Sequence, residues 1–187
     1  MDVAEQRDLV EKLHRVEGKA EIINGEIVHL MATGDRPSEA AFEIAVRLRS
    51  YQQQQDARKG RAYADNTGFL VDLPNRQSFS PDASFYVGER AGMSFLEGAP
   101  VFAVEVRSEN DYGEAAERVM AEKRADYFAA GTEVVWDVDL QSETDTVRVF
   151  RGGEAETPDA TYGRTGTAEA EPALPGFEMP VDALFSN

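Results

Sequence analysis

The chain has 187 residues, with 35 acidic against 19 basic side chains and a formal net charge of −16. That balance excludes a generic basic coat for nucleic acid. A composition of 42% hydrophobic and 29% charged residues excludes a disordered or collagen-like chain. The absence of cysteine removes disulfides, thiolate metal sites and cysteine nucleophiles, and fits a reducing, cytoplasmic setting. The length predicts one domain over residues 1–187. No stretch has the apolar core of a signal peptide or the roughly 18 apolar residues of a membrane span.

In chain order, Val3, Gln6, Val10 and Leu13 recur at helical spacing and predict a short packing helix over 3–14. Residues 20–30 alternate about Asn24-Gly25, the pair that a type I′ turn needs, and predict a β-hairpin. Pro37 is suited to open a helix running to about residue 57, with Ala41, Ile44, Ala45 and Leu48 on its apolar face. Five cations, Arg47, Arg49, Arg58, Lys59 and Arg61, stand against the single acid Asp56 around its end. Such a run reads either as a solvated helix end or as a phosphate contact.

Strands follow at 62–63, 69–71, 83–87 and 101–106, the last a nearly continuous apolar run of the kind buried on both faces. A helix over 113–130 is stopped by Gly131, and strands at 134–138 and 147–150 come after it. Beyond Gly152-Gly153 the chain turns polar and acidic, which predicts a peripheral hairpin and tail anchored only at 174–177 and 181–185. The order is a β-hairpin, a helix, strands, a helix and strands, an α/β pattern.

Three residues are polar where their surroundings are apolar. Asp82 follows Pro81 at a strand entrance, and Glu105 interrupts the most apolar strand. A carboxylate there must face a cleft, be protonated or meet a cation. At about 100° per residue, Lys123 falls in the middle of a stripe made by Val119, Met120, Tyr127 and Ala130, which aims its ammonium at the strand of Glu105. The same reading puts Glu114, Glu117, Arg118, Glu122, Arg124 and Asp126 outside the stripe. Two carboxylates and a lysine suit metal-assisted phosphodiester hydrolysis. The carboxylates offer hard oxygens to Mg²⁺, and the lysine offsets developing charge.

The stretches Phe79-Ser80-Pro81-Asp82-Ala83-Ser84-Phe85, Ala103-Val104-Glu105-Val106-Arg107-Ser108 and 123–138 resemble the Uma-two family of restriction-endonuclease-like proteins, in the PD-(D/E)XK nuclease superfamily. The resemblance extends to 20–26 and to Leu174-Pro175-Gly176-Phe177. It implies a restriction-endonuclease-like core with a mixed central sheet, a divalent-metal site, a nucleic-acid substrate with DNA favoured, and a homodimer. On matched positions Asp82 is the PD aspartate, Glu105 the acid of the (D/E)XK motif and Lys123 its lysine moved onto the helix. Glu21 matches the family's early glutamate. Arg107 stands where many superfamily members keep the lysine, and the histidine that relatives carry near the start of the second helix is absent. The reading that follows is a Mg²⁺ (or Mn²⁺) endonuclease with Asp82, Glu105 and the Val106 carbonyl as ligands.

The competing reading is a non-catalytic acidic binding module whose Glu105 and Lys123 are a buried ion pair. A carboxylate-pair glycosidase gives Lys123 no role. His14 and His29 read as structural, Trp136 and Phe150 as core, and no Gly-x-Ser-x-Gly or phosphate loop is present.

Overall fold

A computed structural model describes residues 3–54 and 56–185. In chain order its elements are α1 (Val3–Leu13), β1 (Ala20–Ile23), β2 (Glu26–His29), α2 (Asp35–Gln52), β3 (Arg61–Ala64), β4 (Phe69–Leu70), β5 (Ser78–Phe79) and β6 (Ala83–Tyr86). Then come β7 (Leu96–Glu97), β8 (Phe102–Val106), α3 (Glu114–Ala129), β9 (Val134–Val138), β10 (Val147–Arg151), β11 (Ala160–Tyr162), β12 (Thr167–Glu169), β13 (Glu178–Pro180) and a 3₁₀ turn (Val181–Phe185). Six strands form the central sheet in the order β11-β10-β9-β8-β6-β3. Its β8–β9 pair is parallel and the others are antiparallel, so the sheet is mixed as expected. The side chain of Val3 and residue Gln55 lie outside the described residues.

The sheet's two faces are chemically different, and period-two alternation makes them so. Phe102, Val104 and Val106 of β8, with Val134, Trp136 and Val138 of β9, pack under α2 in the larger core cluster. Ala103 and Val135 point the other way, into a smaller cluster with Phe79, Tyr127 and Phe150. Glu105 and Asp137 share that second face and are register partners across the parallel pair. The α3 side of the sheet therefore carries charge, and the α2 side does not.

Asn24 and Gly25 take φ values of 53° and 74°, and β1 pairs with β2 about them in the predicted hairpin. Helix α2 begins two residues before Pro37, which still falls in the first turn, where its missing N–H has no intrahelical partner to lose. The helix stops at Gln52 instead of near 57. There the Gln52 Oε1 accepts the Ala62 N–H (2.9 Å), and the Tyr51 hydroxyl accepts the Arg58 N–H (3.0 Å) and donates to the Pro175 carbonyl (3.1 Å). Tyr51 is the last α2 residue in the core, and the chain turns there into β3.

The two-residue strands β4, β5 and β7 form a separate small sheet. The C-terminal segment keeps its acids outward, at Glu154, Glu156, Glu171 and Glu178, as composition implied. Its apolar residues do more than anchor it. Ala168, Ala170, Ala173, Leu174, Met179 and Val181 are fully buried in the larger core, and the Trp136 indole donates to the Glu169 carbonyl (3.0 Å).

Gly60 precedes β3 where the backbone passes against β6. A Cβ there would lie 2.4 Å from Cε1 of Phe85 and 2.7 Å from the Tyr86 carbonyl oxygen. Gly60→Ala is expected to destabilise the protein by about 1–3 kcal/mol through this overpacking. A urea-unfolding midpoint equal to wild type would contradict it.

Candidate active site

The β1–β2 hairpin docks on the 75–79 segment through backbone groups. The Ile22 N–H donates to Ser78 Oγ (2.7 Å), the Gln77 N–H to the Ile22 carbonyl (2.9 Å), and the Asn24 N–H to the Asn75 carbonyl (2.9 Å). This docking carries Glu21 inward until it is 1% exposed. Its Oε1 accepts the Ser80 N–H (2.9 Å) and meets Lys123 Nζ (3.0 Å), and its Oε2 meets Arg76 (2.6 Å). Arg76 in turn pairs with Asp126 (2.7 Å), which also accepts from Asn75 (2.7 Å).

Asp82 sits just before β6. Its N–H donates to the Val104 carbonyl (3.0 Å) and its Oδ2 accepts the Val106 N–H (2.7 Å), so the aspartate is fastened to β8 on both sides of Glu105. Its Oδ1 meets Lys19 Nζ at 2.6 Å, and Lys19 also reaches Asp65 at 2.6 Å. Glu105 Oε1 accepts from the Tyr127 hydroxyl (2.6 Å) and meets Lys123 Nζ (2.9 Å). Tyr127 is held by stacking on Phe79, with centroids 4.0 Å apart and planes 14° from parallel. The structure thus brings Glu21, Asp82, Glu105 and Lys123 together, with the Val106 backbone between the two acids.

One ammonium serves two carboxylates, and the two respond oppositely. Burial alone would raise Glu21, but Lys123, Arg76 and the Ser80 N–H outweigh it and hold its pKa below the usual carboxylate value. Glu105 goes the other way. Burial, then the charges of Asp82 and Glu21, push it up beyond what Lys123 and Lys19 pull down. Lys123 itself is raised: burial works against its charge, and Glu105 and Glu21 more than compensate, so it keeps its proton. Tyr127 is likewise raised, by burial first and then by Glu105 and Glu21. In this connected set, five carboxylates (Glu21, Asp65, Asp82, Glu105 and Asp126) face three cations (Lys19, Arg76 and Lys123), which leaves two negative charges uncompensated.

The raised Glu105 has a consequence for stability. An acid that binds its proton more tightly in the folded state lowers stability as pH rises from its unfolded value near 4.5 through its folded value. Glu105→Gln removes that loss and can still accept from Tyr127, but it also takes one acid from the buried Lys123, which keeps Glu21. The two effects oppose each other, so the metal-free variant is expected to melt within a few degrees of wild type at pH 7, and a large fall in Tm would contradict this.

Beside this site lies a second network that the sequence did not reveal. Arg107 binds Asp137 through Nε (2.7 Å) and Nη2 (2.6 Å), and grips Glu117 with both Nη atoms. Arg124 also reaches Asp137 (2.9 Å) and lies over the Phe150 ring at 4.1 Å. Arg107 is thereby committed to Asp137 and Glu117 and does not take the place of Lys123. The expected apolar stripe of α3 is corrected here. Val119 is 62% exposed, and the buried positions are Arg124, Asp126 and Tyr127, because the sheet face beneath is charged and selects charged partners. Lys123 reaches Glu105 all the same.

Lys19, Arg76 and Tyr127 are the neighbours that sequence reading missed. Only Tyr127, one helical turn from Lys123, carried a signal, since it fell on the same arc. Of the basic 47–61 run, Arg47 pairs with Glu43, Arg58 grips Glu133 with two bonds of 2.8 Å, and Arg61 binds the Gly88 carbonyl. Arg49 and Lys59 are exposed. His14 stacks on Phe95 (3.9 Å), a packing role.

Among the described residues no group of three or more His, Cys, Asp or Glu side chains converges as a metal cage. The donor set instead suits an open site: two hard carboxylates and a backbone carbonyl, with the remaining positions left to water, is the habit of Mg²⁺. The buried hydroxyls without a hydrogen-bond partner among the described residues are those of Ser80 and Ser84, two residues to either side of Asp82. Buried orphans of this kind call for a water or an ion nearby.

No helix among the described residues is long and apolar enough to cross a membrane. No curated protein matches the chain. A crystal structure described as a "putative nuclease belonging to DUF820" from Anabaena variabilis superposes with a TM-score of 0.70 over 94% of this chain and 96% of that one, at 18% identity, and so shares the fold. The model of the Uma2 family, described as "Putative restriction endonuclease", matches residues 8–182, a span that includes Glu21, Asp82, Glu105 and Lys123. The chain belongs to the Uma2 family.

Proposed function

We propose that this protein is a Mg²⁺-dependent endonuclease that hydrolyses phosphodiester bonds in nucleic acid, DNA first. The observation that carries the reading is the excess of two negative charges in the set that includes Asp82 and Glu105, the latter with its pKa pushed up by burial and by its acidic neighbours. One divalent cation neutralises them.

Asp82, Glu105 and the Val106 carbonyl would hold the ion, with Mn²⁺ an acceptable substitute. When bound, the ion supplies Lewis acidity toward a phosphodiester. The remaining parts belong to the chain. Lys123 keeps its proton, so it acts as a fixed cation and hydrogen-bond donor toward the attacking water or a phosphate oxygen, and not as a base. Glu21, with both oxygens engaged, positions Lys123. Tyr127 fixes one oxygen of Glu105 and leaves Oε2 for the ion.

Titration calorimetry with Mg²⁺ and Mn²⁺ tests this. One specific site is expected, with affinity falling as pH is lowered, because protons compete first at Glu105, whose pKa burial and its acidic neighbours push up. Absence of specific metal heat would overturn the reading. It would favour the acidic binding module, whose supporting observation is that Lys123 and Arg76 are already paired on two sides each.

A further inference from the structure

Lys19 is the one cation of the site that stands on a proposed ligand while holding an alternative partner at the surface. Its Nζ touches Asp82 Oδ1 and Asp65 Oδ1, both at 2.6 Å, and its side chain is 13% exposed. The other oxygen of Asp82 is taken by the Val106 N–H. Any dication on Asp82 therefore meets a full positive charge already seated on the same carboxylate, in surroundings that screen it poorly. Lys123 differs, being wedged between Glu21 and Glu105 at 3.0 and 2.9 Å with no surface partner in its contacts.

Asp65 supplies the second half of the argument. It lies in the turn after β3, 43% exposed, and its Oδ1 also accepts the Asn66 N–H (2.7 Å), which fixes it close to the site without burying it. A lysine ammonium is a compact charge on a flexible four-carbon stem and can shift from one oxygen to another at little cost.

We propose that Lys19 is a built-in competitor for the metal seat on Asp82, and that Asp65 is the berth to which it withdraws when the metal enters. The inference rests on the metal-binding reading of Asp82 and Glu105. Without metal, Lys19 relieves the repulsion among the carboxylates. With metal, it must give up Asp82, which raises the dissociation constant and makes loading respond to cation concentration.

Removing Lys19 and removing Asp65 should act in opposite directions. In Mg²⁺ calorimetry on the full chain, Lys19→Met is expected to lower the dissociation constant about tenfold, the usual scale of one opposing charge at a desolvated carboxylate. Asp65→Asn, at an exposed turn where folding is not at stake, is expected to raise it severalfold. The rise in Tm at a fixed Mg²⁺ concentration should follow the same order, Lys19→Met above wild type above Asp65→Asn. Metal binding seen in Lys19→Met but not in wild type would also support the competition. Wild type that binds Mg²⁺ with an affinity that Lys19→Met leaves unchanged or weakens overturns this inference alone. No binding in either protein overturns it together with the metal reading.

Discussion

Asp82→Asn is expected to weaken Mg²⁺ binding at least about 100-fold and to reduce plasmid nicking by about 10²–10³-fold. Both effects should come without loss of the fold. The side chain's structural tasks are modest: it accepts one backbone N–H from Val106 and faces Lys19, which keeps Asp65 as a partner. An asparagine carbonyl can accept the same N–H. The change removes one negative charge and turns an amide N–H toward Lys19, which can rest on Asp65 instead, so a loss of metal heat in a folded variant is attributable to ligation. Unchanged calorimetry with full nicking in a folded Asp82→Asn protein would remove Asp82 from the site.

Asp137→Ala has the larger expected effect on stability, about 3–5 kcal/mol, or about 6–20 °C in Tm for a domain of this size. Asp137 is 1% exposed and receives two bonds from Arg107 and one from Arg124. Its removal strands two guanidinium groups between α3 and the sheet, where Arg107 retains only Glu117 among its acidic partners. Glu117→Ala provides the contrast. That carboxylate is 44% exposed, so solvent screens the same charge type, and the expected loss is about 1 kcal/mol or less. Urea unfolding of the two variants checks the order, and Asp137→Ala within 1 kcal/mol of wild type would show that the pairs stabilise nothing.

These two networks lie side by side because Glu105 and Asp137 are register partners on adjacent parallel strands, and Arg107 follows Glu105 by two residues on the same face. One is fully neutralised within the protein by arginines. The other is left two charges short. That difference supports the proposal that the chemistry lies at Asp82 and Glu105, while the Arg107–Asp137 cluster holds α3 against the sheet.

Much of this was legible in the residues alone. Asn24-Gly25 specifies a hairpin because the turn requires positive φ at both positions, and an apolar run broken only by Glu105 marks a central strand with one chemically distinct face. Lys123 was legible because a helix angle needs no tertiary information. The same angle failed for Arg124 and Asp126, since counting apolar residues assumes that the partner surface is apolar. Here it is charged, and the complement to Asp137 and Arg76 is an arginine and an aspartate. Lys19 and Arg76 were beyond reach: Lys19 meets Asp82 across 63 residues and Arg76 meets Glu21 across 55, and no local pattern encodes such separations. The end of α2 depended on Tyr51 and Gln52 bonding to residues further along, which periodicity cannot register.

The most direct test of the central claim is plasmid nicking by purified wild-type protein in Mg²⁺ and in EDTA, with Glu105→Gln measured beside it. The account predicts nicking that requires the metal and falls about 10²–10³-fold in Glu105→Gln, although that variant melts within a few degrees of wild type. Metal-independent nicking, or full activity in Glu105→Gln, would contradict it.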